Sequence, residues 1–92
     1  MEERSDVEDR ISGQYLGMSK NQKAIADFIL EHTDQAVFMT AAKLGEALRI
    51  SESTVVRFAV RIGYAGYPEF QRALEERVRG RLNSIRKIDA KY

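Results

Sequence analysis

In the stretch TAAKLGEALRISESTVVRFAVRIG, residues 40–63, apolar residues recur in two blocks at helical spacing. Leu44 and Leu48 stand four apart, Ile50 follows, and Val55, Phe58, Ala59 and Ile62 then fall at i, i+3, i+4 and i+7. The pattern predicts two helices that share one core. Thr40 and Ser51 each stand immediately before a helical run, where a hydroxyl can accept a hydrogen bond from an orphan backbone N–H. These starts leave a short turn around Arg49 and Ile50, as a helix-turn-helix requires. Gly45 falls where the two helices approach, and a larger side chain there would push them apart. Arg49 occupies the turn position that often has positive φ and is often glycine; in a left-handed conformation it costs about 1 kcal/mol. Two readings of Arg49 stay open at this point, a tolerated surface arginine or a contact to a DNA phosphate.

The flanking chain follows the same periodicity. Val7, Ile11 and Tyr15 place a narrow apolar stripe on an otherwise charged first helix, limited by Gly13 and Gly17. So thin a stripe cannot fold alone; it either docks on the following domain or pairs with another chain, with a frayed tail as a third reading. Ser19 and Gln22 have the spacing of a capping box, opening a helix that runs to about His32 and buries Ala24, Ile25, Phe28 and Ile29. His32 reads as a surface residue favoured by the helix dipole. Residues 33–39 read as a short turn of helix, with Val37, Phe38 and Met39 completing the core. Gly63 suits a left-handed helix C-cap, and Pro68 suits the first position of a last helix. That helix carries Phe70, Ala73, Leu74, Val78 and Leu82 on one side, extended by Ile85 and Ile88, with order expected to about Asn83. The expectation is an all-α fold, a compact bundle of about five to six helices containing a helix-turn-helix. It divides into an amphipathic helical segment over residues 1–17, the helix-turn-helix domain over 18–83 and a basic tail or linker over 84–92.

Composition narrows the function. Ninety-two residues make one small domain. There is no cysteine and a single histidine, so neither a disulfide framework nor a metal site is expected, and no cofactor. A reducing cytoplasm is the plain inference. No apolar run approaches the roughly 18 residues of a membrane span, and the acidic start (Glu2, Glu3) is unlike a signal peptide. The net charge of +1 hides an asymmetry: Glu2, Glu3, Asp6, Glu8 and Asp9 outnumber Arg4 and Arg10 at the start, whereas the last helix is rich in Arg72, Arg77, Arg79, Arg81, Arg86 and Lys87. Near-neutrality overall does not exclude nucleic acid, because what matters is whether the basic groups gather on one face. No catalytic constellation or phosphate-cradling loop is present, so an enzyme is not expected.

The chemistry lies on the second helix of the central pair. At about 100° per residue, Val55, Phe58, Ala59 and Ile62 share one side, while Ser53, Val56, Arg57 and Val60 centre on the other, flanked by Thr54 and Arg61. A face that is small at its start and basic further along can enter a major groove about 12 Å wide. Arg57 can then bond guanine O6 and N7 bidentately, Ser53 and Thr54 a base edge or phosphate, and Val56 or Val60 a thymine methyl. Backbone N–H groups near Ser51 and Glu52 favour a phosphate. The Glu52 carboxylate reads as a capping aid or a cytosine reader. Lys43, on the preceding helix, reads as a backbone-positioning charge. The hydroxyls of Tyr64 and Tyr67 can donate to phosphate oxygens, or the two rings pack against the core.

The segments LGMSKNQKAIADFILEH, FMTAAKLGEAL and ISESTVVRFAVRIGYAGYPEFQRAL together resemble the N-terminal DNA-binding domain of RpiR-type bacterial transcriptional regulators. SESTVVRF and GYAGYPEF carry most of that resemblance, and Arg49 departs from it where such proteins often have glycine. The resemblance implies a domain joined to a C-terminal sugar isomerase-type domain that binds a phosphorylated sugar, acting as a dimer or higher oligomer on sugar-catabolism genes. The expected partner is therefore double-stranded DNA. A homodimer is expected through the helix from Pro68 onward, the N-terminal helix or both. A sugar-phosphate effector would act only through a C-terminal domain absent from these residues. The rival reading is a helical dimerisation or protein-docking module that kept the shape without binding DNA.

Overall fold

Side-chain caps set where the helices begin. The computed structural model describes the backbone of residues 7–90 and the side chains of residues 7–80. Glu2, Glu3, Asp6, Leu82, Ile85, Ile88, Arg81, Arg86 and Lys87 therefore lie outside the described side chains. The elements are α1 (Val7–Gln14), a 3-10 turn (Tyr15–Gly17), α2 (Lys20–Glu31), α3 (Thr33–Ala36), α4 (Ala41–Leu48), α5 (Glu52–Arg61) and α6 (Tyr67–Ala90). The fold is all-α, with no strand among the described residues. Ser19 and Gln22 form the capping box at the start of α2: Gln22 N–H donates to Ser19 Oγ at 3.2 Å and Ser19 N–H to Gln22 Oε1 at 3.0 Å. Two orphan donors are thereby satisfied.

α5 lies at the centre, packed against α4, α2 and α6. Its Val55, Phe58 and Ala59, with Ile62 just beyond, meet Ile25, Ala26 and Ile29 of α2, Leu44 of α4, and Phe70 and Leu74 of α6 in one buried cluster. Phe58 and Phe70 meet edge to face with ring centroids 6.0 Å apart; burying one such ring stabilises the fold by about 1.5–3 kcal/mol. On α2 the buried stripe is centred on Ile25, Ala26 and Ile29, leaving Ala24 and Phe28 half-buried at its edges. His32 is exposed and ends α2, its ring tilted against Phe28 at 5.1 Å.

The N-terminal stripe docks on its own domain. Val7 and Ile11 keep 1% and 0% of their surface exposed, as members of the common core. Beside them the Glu8 carboxylate accepts from Arg77 Nη2 of α6 at 3.0 Å. Tyr15, the third position of the stripe, lies half-buried beneath Lys23 Nζ, 5.4 Å from the ring centroid. A hydrogen bond to Asp27, and after it burial, push its hydroxyl above the ordinary pKa of 10.0.

Two expectations change. Val37 is buried and Met39 half-buried, but Phe38 is 83% exposed and does not complete the core. The chain leaving α3 is anchored through backbone carbonyls: Gln71 Nε2 donates to Val37 O at 2.9 Å and to Met39 O at 3.1 Å, and the Tyr67 hydroxyl donates to Met39 O at 2.7 Å. With Val37 and Met39 held on the α6 side, the intervening Phe38 falls outside. The last helix begins at Tyr67, one residue before Pro68, and its backbone continues past Asn83 to Ala90. No proline interrupts residues 81–90, whose Arg, Leu, Lys and Ala are good helix formers.

Candidate nucleic-acid interface

The turn between α4 and α5 is closed entirely by local bonds. Thr40 Oγ1 accepts from Lys43 N–H at 3.1 Å to open α4, and Ser51 Oγ accepts from Thr54 N–H at 3.2 Å to open α5. Between them, Arg49 N–H donates to Glu46 O at 3.3 Å and Ile50 N–H to Gly45 O at 2.8 Å. That is a Schellman ending, which places Arg49 in the left-handed region at φ 60°, ψ 45°. The same pattern closes α5: Gly63 N–H donates to Val60 O at 3.0 Å and Tyr64 N–H to Ala59 O at 3.1 Å, with Gly63 at φ 107°. Glycine stands at one of these two ends and arginine at the other, and arginine carries the Cβ strain of that region. Gly45 is buried against the turn, where an added Cβ would stand 2.5 Å from Ile50 O.

Around α5, Glu52, Ser53, Arg57, Val60 and Arg61 are exposed, as is the cap Ser51. Val60 keeps 51% of its surface in solvent. Val56, expected on this outward face, is half-buried against the core together with Thr54 at the opposite margin. At about 100° per residue Val56 lies roughly 60° around the helix from buried Ala59, so it marks the edge of the buried arc. The outward strip is therefore Ser53, Arg57 and Val60.

At the start of that strip the hydroxyls form a connected group. Ser51 Oγ lies 2.8 Å from Thr54 Oγ1 and 3.3 Å from Ser53 Oγ, and Arg57 Nη2 donates to Thr54 Oγ1 at 3.2 Å. The N-terminal turn of α5 adds the positive end of its helix dipole, where Glu52 is a favourable neighbour. Lys43 is exposed on α4, one turn after the Thr40 cap. Such a face offers hydrogen-bond donors and one apolar contact.

Other site residues go elsewhere. Arg61 turns away from Arg57, donating from Nη1 to Gln22 Oε1 at 3.2 Å and from Nη2 to Gly17 O at 3.1 Å. It ties the end of α5 to the start of α2. Tyr64 is half-buried, 5.9 Å from the Phe70 ring and under the Arg10 guanidinium at 4.6 Å. Tyr67 is buried, and burial pushes its hydroxyl pKa up to about 12. Arg10 is the residue that sequence reasoning missed. Its Nη1 donates to Ile62 O at 3.3 Å, a cation at the C-terminal end of α5 where the helix dipole favours one. No local signal in the sequence pairs two groups 52 residues apart. No group of three or more candidate ligands for a metal occurs among the described residues, and no helix of theirs is long and apolar enough to cross a membrane.

Comparison with known proteins accords with this geometry. The helix-turn-helix domain of the rpiR family matches residues 5–80. Over 67 residues the chain is 36% identical to the uncharacterized HTH-type transcriptional regulator YfhH of Escherichia coli, covering 73% of this chain and 24% of that protein. Over 71 residues it is 32% identical to an uncharacterized HTH-type transcriptional regulator of Haemophilus influenzae, covering 77% and 25%. Over 63 residues it is 33% identical to the HTH-type transcriptional regulator HexR of Pseudomonas aeruginosa, covering 68% and 22%. The chain thus matches about a quarter of the length of these relatives. No solved structure matches it. With α4, the Schellman turn and α5 lying inside the matched residues, the chain belongs to the rpiR family of transcriptional regulators and contains their helix-turn-helix domain.

Proposed function

We propose that this domain binds double-stranded DNA sequence-specifically, with α5 in the major groove. The observation that supports it most is the outward strip of α5, where Ser53 and Arg57 offer donors and Val60 remains 51% exposed on a helix whose opposite side is buried. Arg57 reads guanine, Ser53 a base edge and Val60 a thymine methyl. Lys43 and Ser51, with the α5 N-terminus, set the helix against the phosphates, while Arg61 braces the other end of α5 on Gln22 and Gly17. Val56 contributes at the margin of the strip. Tyr64 supports α5 by packing beneath Arg10. The 18–83 region is the reading domain, and the described part of the 1–17 segment, residues 7–17, braces it.

One reading helix has limited affinity, and two-fold operators match two-fold proteins, so the domain acts as a homodimer. The face of α1 is taken up by its own core, which favours α6 as the dimer element, where the sequence continues the apolar spacing of Val78 through Leu82, Ile85 and Ile88. The regulated genes are those of sugar or sugar-phosphate metabolism, by the family resemblance, and the protein works in the cytoplasm. In relatives about three times as long, a sugar-phosphate effector would be sensed by the additional chain rather than by this bundle. The rival docking module loses its N-terminal support, since Val7 and Ile11 are buried at home.

The test is selection from random duplexes, with sequencing, at two salt concentrations. A two-fold motif with affinity falling steeply with salt is expected. Arg57→Ala should weaken the selected site by about 1–3 kcal/mol and relax one base position, whereas Lys43→Ala should weaken all sequences alike. Equal loss on selected and random DNA for Arg57→Ala would overturn the base-reading role, and no enrichment from the folded chain would overturn DNA reading altogether.

A further inference from the structure

The hydroxyl group at the start of α5 has a direction, and the direction bears on which base is read. Arginine has only donors, so in the 3.2 Å contact between Arg57 Nη2 and Thr54 Oγ1 the threonine oxygen accepts. Thr54 has a single proton, and its close neighbour is Ser51 Oγ at 2.8 Å. A hydroxyl that accepts from a cation is the better donor, because successive bonds in a chain polarise one another. The Thr54 proton therefore goes to Ser51, which already accepts the Thr54 backbone N–H at 3.2 Å. Ser53 Oγ lies 3.3 Å from Ser51 Oγ, at the outer end of this group.

We infer that Thr54 is a specificity-determining residue that holds Arg57 against the start of α5, so that its guanidinium presents a donor-only edge to an acceptor-bearing purine, guanine above all. The inference rests on α5 being the DNA-reading helix. Guanine presents N7 and O6 acceptors in the major groove, whereas cytosine presents an amino donor that this edge repels. Thr54 acts through Arg57 and is a positioning residue. Its half-buried position at the margin of the strip keeps the hydroxyl still while the guanidinium reaches outward. Without that hydroxyl, Arg57 is a flexible cation that serves a phosphate as well as a base.

Selection from random duplexes, run in parallel on the wild-type chain, Thr54→Val, Thr54→Ser, Arg57→Ala and the Thr54→Val/Arg57→Ala double variant, tests this. Valine keeps the branched shape and removes the hydroxyl; serine restores it; melting curves establish that each variant folds. The wild type should enrich guanine at one position of each half-site. Thr54→Val should lower that preference at least about fivefold, the low end for a bidentate arginine–guanine contact, with binding to random DNA changed less than twofold. Thr54→Ser should restore the preference, and the double variant should match Arg57→Ala. Two outcomes would overturn the inference while leaving α5 as the reading helix: a guanine preference sensitive to Arg57 but indifferent to Thr54→Val, or a Thr54→Val loss that persists undiminished in the Arg57→Ala background. A wild-type pool that enriches nothing would overturn both.

Discussion

Gly45→Ala tests how the two helices of the reading unit meet. A Cβ at residue 45 would stand 2.5 Å from Ile50 O, 3.4 Å from Glu52 N and 3.5 Å from Ser51 C. Carbon–oxygen contact is comfortable only from about 3.3 Å, so the turn would have to retreat by roughly 0.8 Å. The obstacle is backbone, and no rotamer change relieves it. Retreat would also stretch the bond from Ile50 N–H to Gly45 O, 2.8 Å in the native turn. Overpacking of this kind costs about 1–3 kcal/mol, and weakening one backbone bond up to about 1 more. Alanine in a helix interior returns about 0.8–1.0 kcal/mol of propensity. The net expectation is a loss between about 0 and 3 kcal/mol, centred on about 1.5. Gly80→Ala in α6 is the matched control, since nothing lies within 4 Å of its added Cβ. It should gain up to about 1 kcal/mol. Urea denaturation followed by circular dichroism would read both changes, with the midpoint falling for one and rising for the other. A Gly45→Ala variant that gained stability as Gly80→Ala does would refute the close approach of the α4 helix to the turn.

Other perturbations probe the rest of the assembly. Ile11→Ala should lose about 2–4 kcal/mol, independently of protein concentration, because Ile11 is fully buried within its own chain; a loss that appears only at high concentration in denaturation curves would assign the stripe to a second copy. Arg49→Gly should gain about 1 kcal/mol by releasing the left-handed strain at φ 60°, and a melt showing no gain would contradict that conformation. Tyr67 has its pKa raised from 10.0 to about 12 by burial, so the folded state holds this proton more tightly than the unfolded chain does. Its contribution is intact below pH 10.0 and is lost as pH rises toward about 12. Tyr67→Phe should remove that part of the alkaline decline, and identical alkaline profiles for the two proteins would count against a buried Tyr67 hydroxyl.

What the sequence determines by itself is everything settled within one turn of chain. Thr40, Ser51 and the Ser19–Gln22 pair start their helices through bonds spanning three residues. The positive φ at Arg49 and at Gly63 follows from where the apolar periodicity stops and a new cap begins. Helix spacing likewise marks Val55, Phe58, Ala59 and Ile62 as one buried side, and so leaves Ser53, Arg57 and Val60 outward. These features are legible because backbone geometry brings residues three and four apart together in any helix.

Only the tertiary structure decides where a side chain ends up when its partner is remote in sequence. Arg61 looks like a groove residue on a helical wheel, yet it reaches Gly17 and Gln22, 44 and 39 residues away. Arg10 looks like one charge among many in an acidic segment, yet it holds the far end of α5 at Ile62, and Glu8 meets Arg77 across 69 residues. The stripe of Val7 and Ile11 is equally suited to another chain or to its own, and the space between α1 and α6 settles the matter. Phe38 reads as core by composition and is turned out because Tyr67 and Gln71 hold the carbonyls on either side of it. Periodicity reports which face of an element is apolar; the destination of a long polar or aromatic side chain depends on how the elements are placed against one another, and that placement is a property of the packed core.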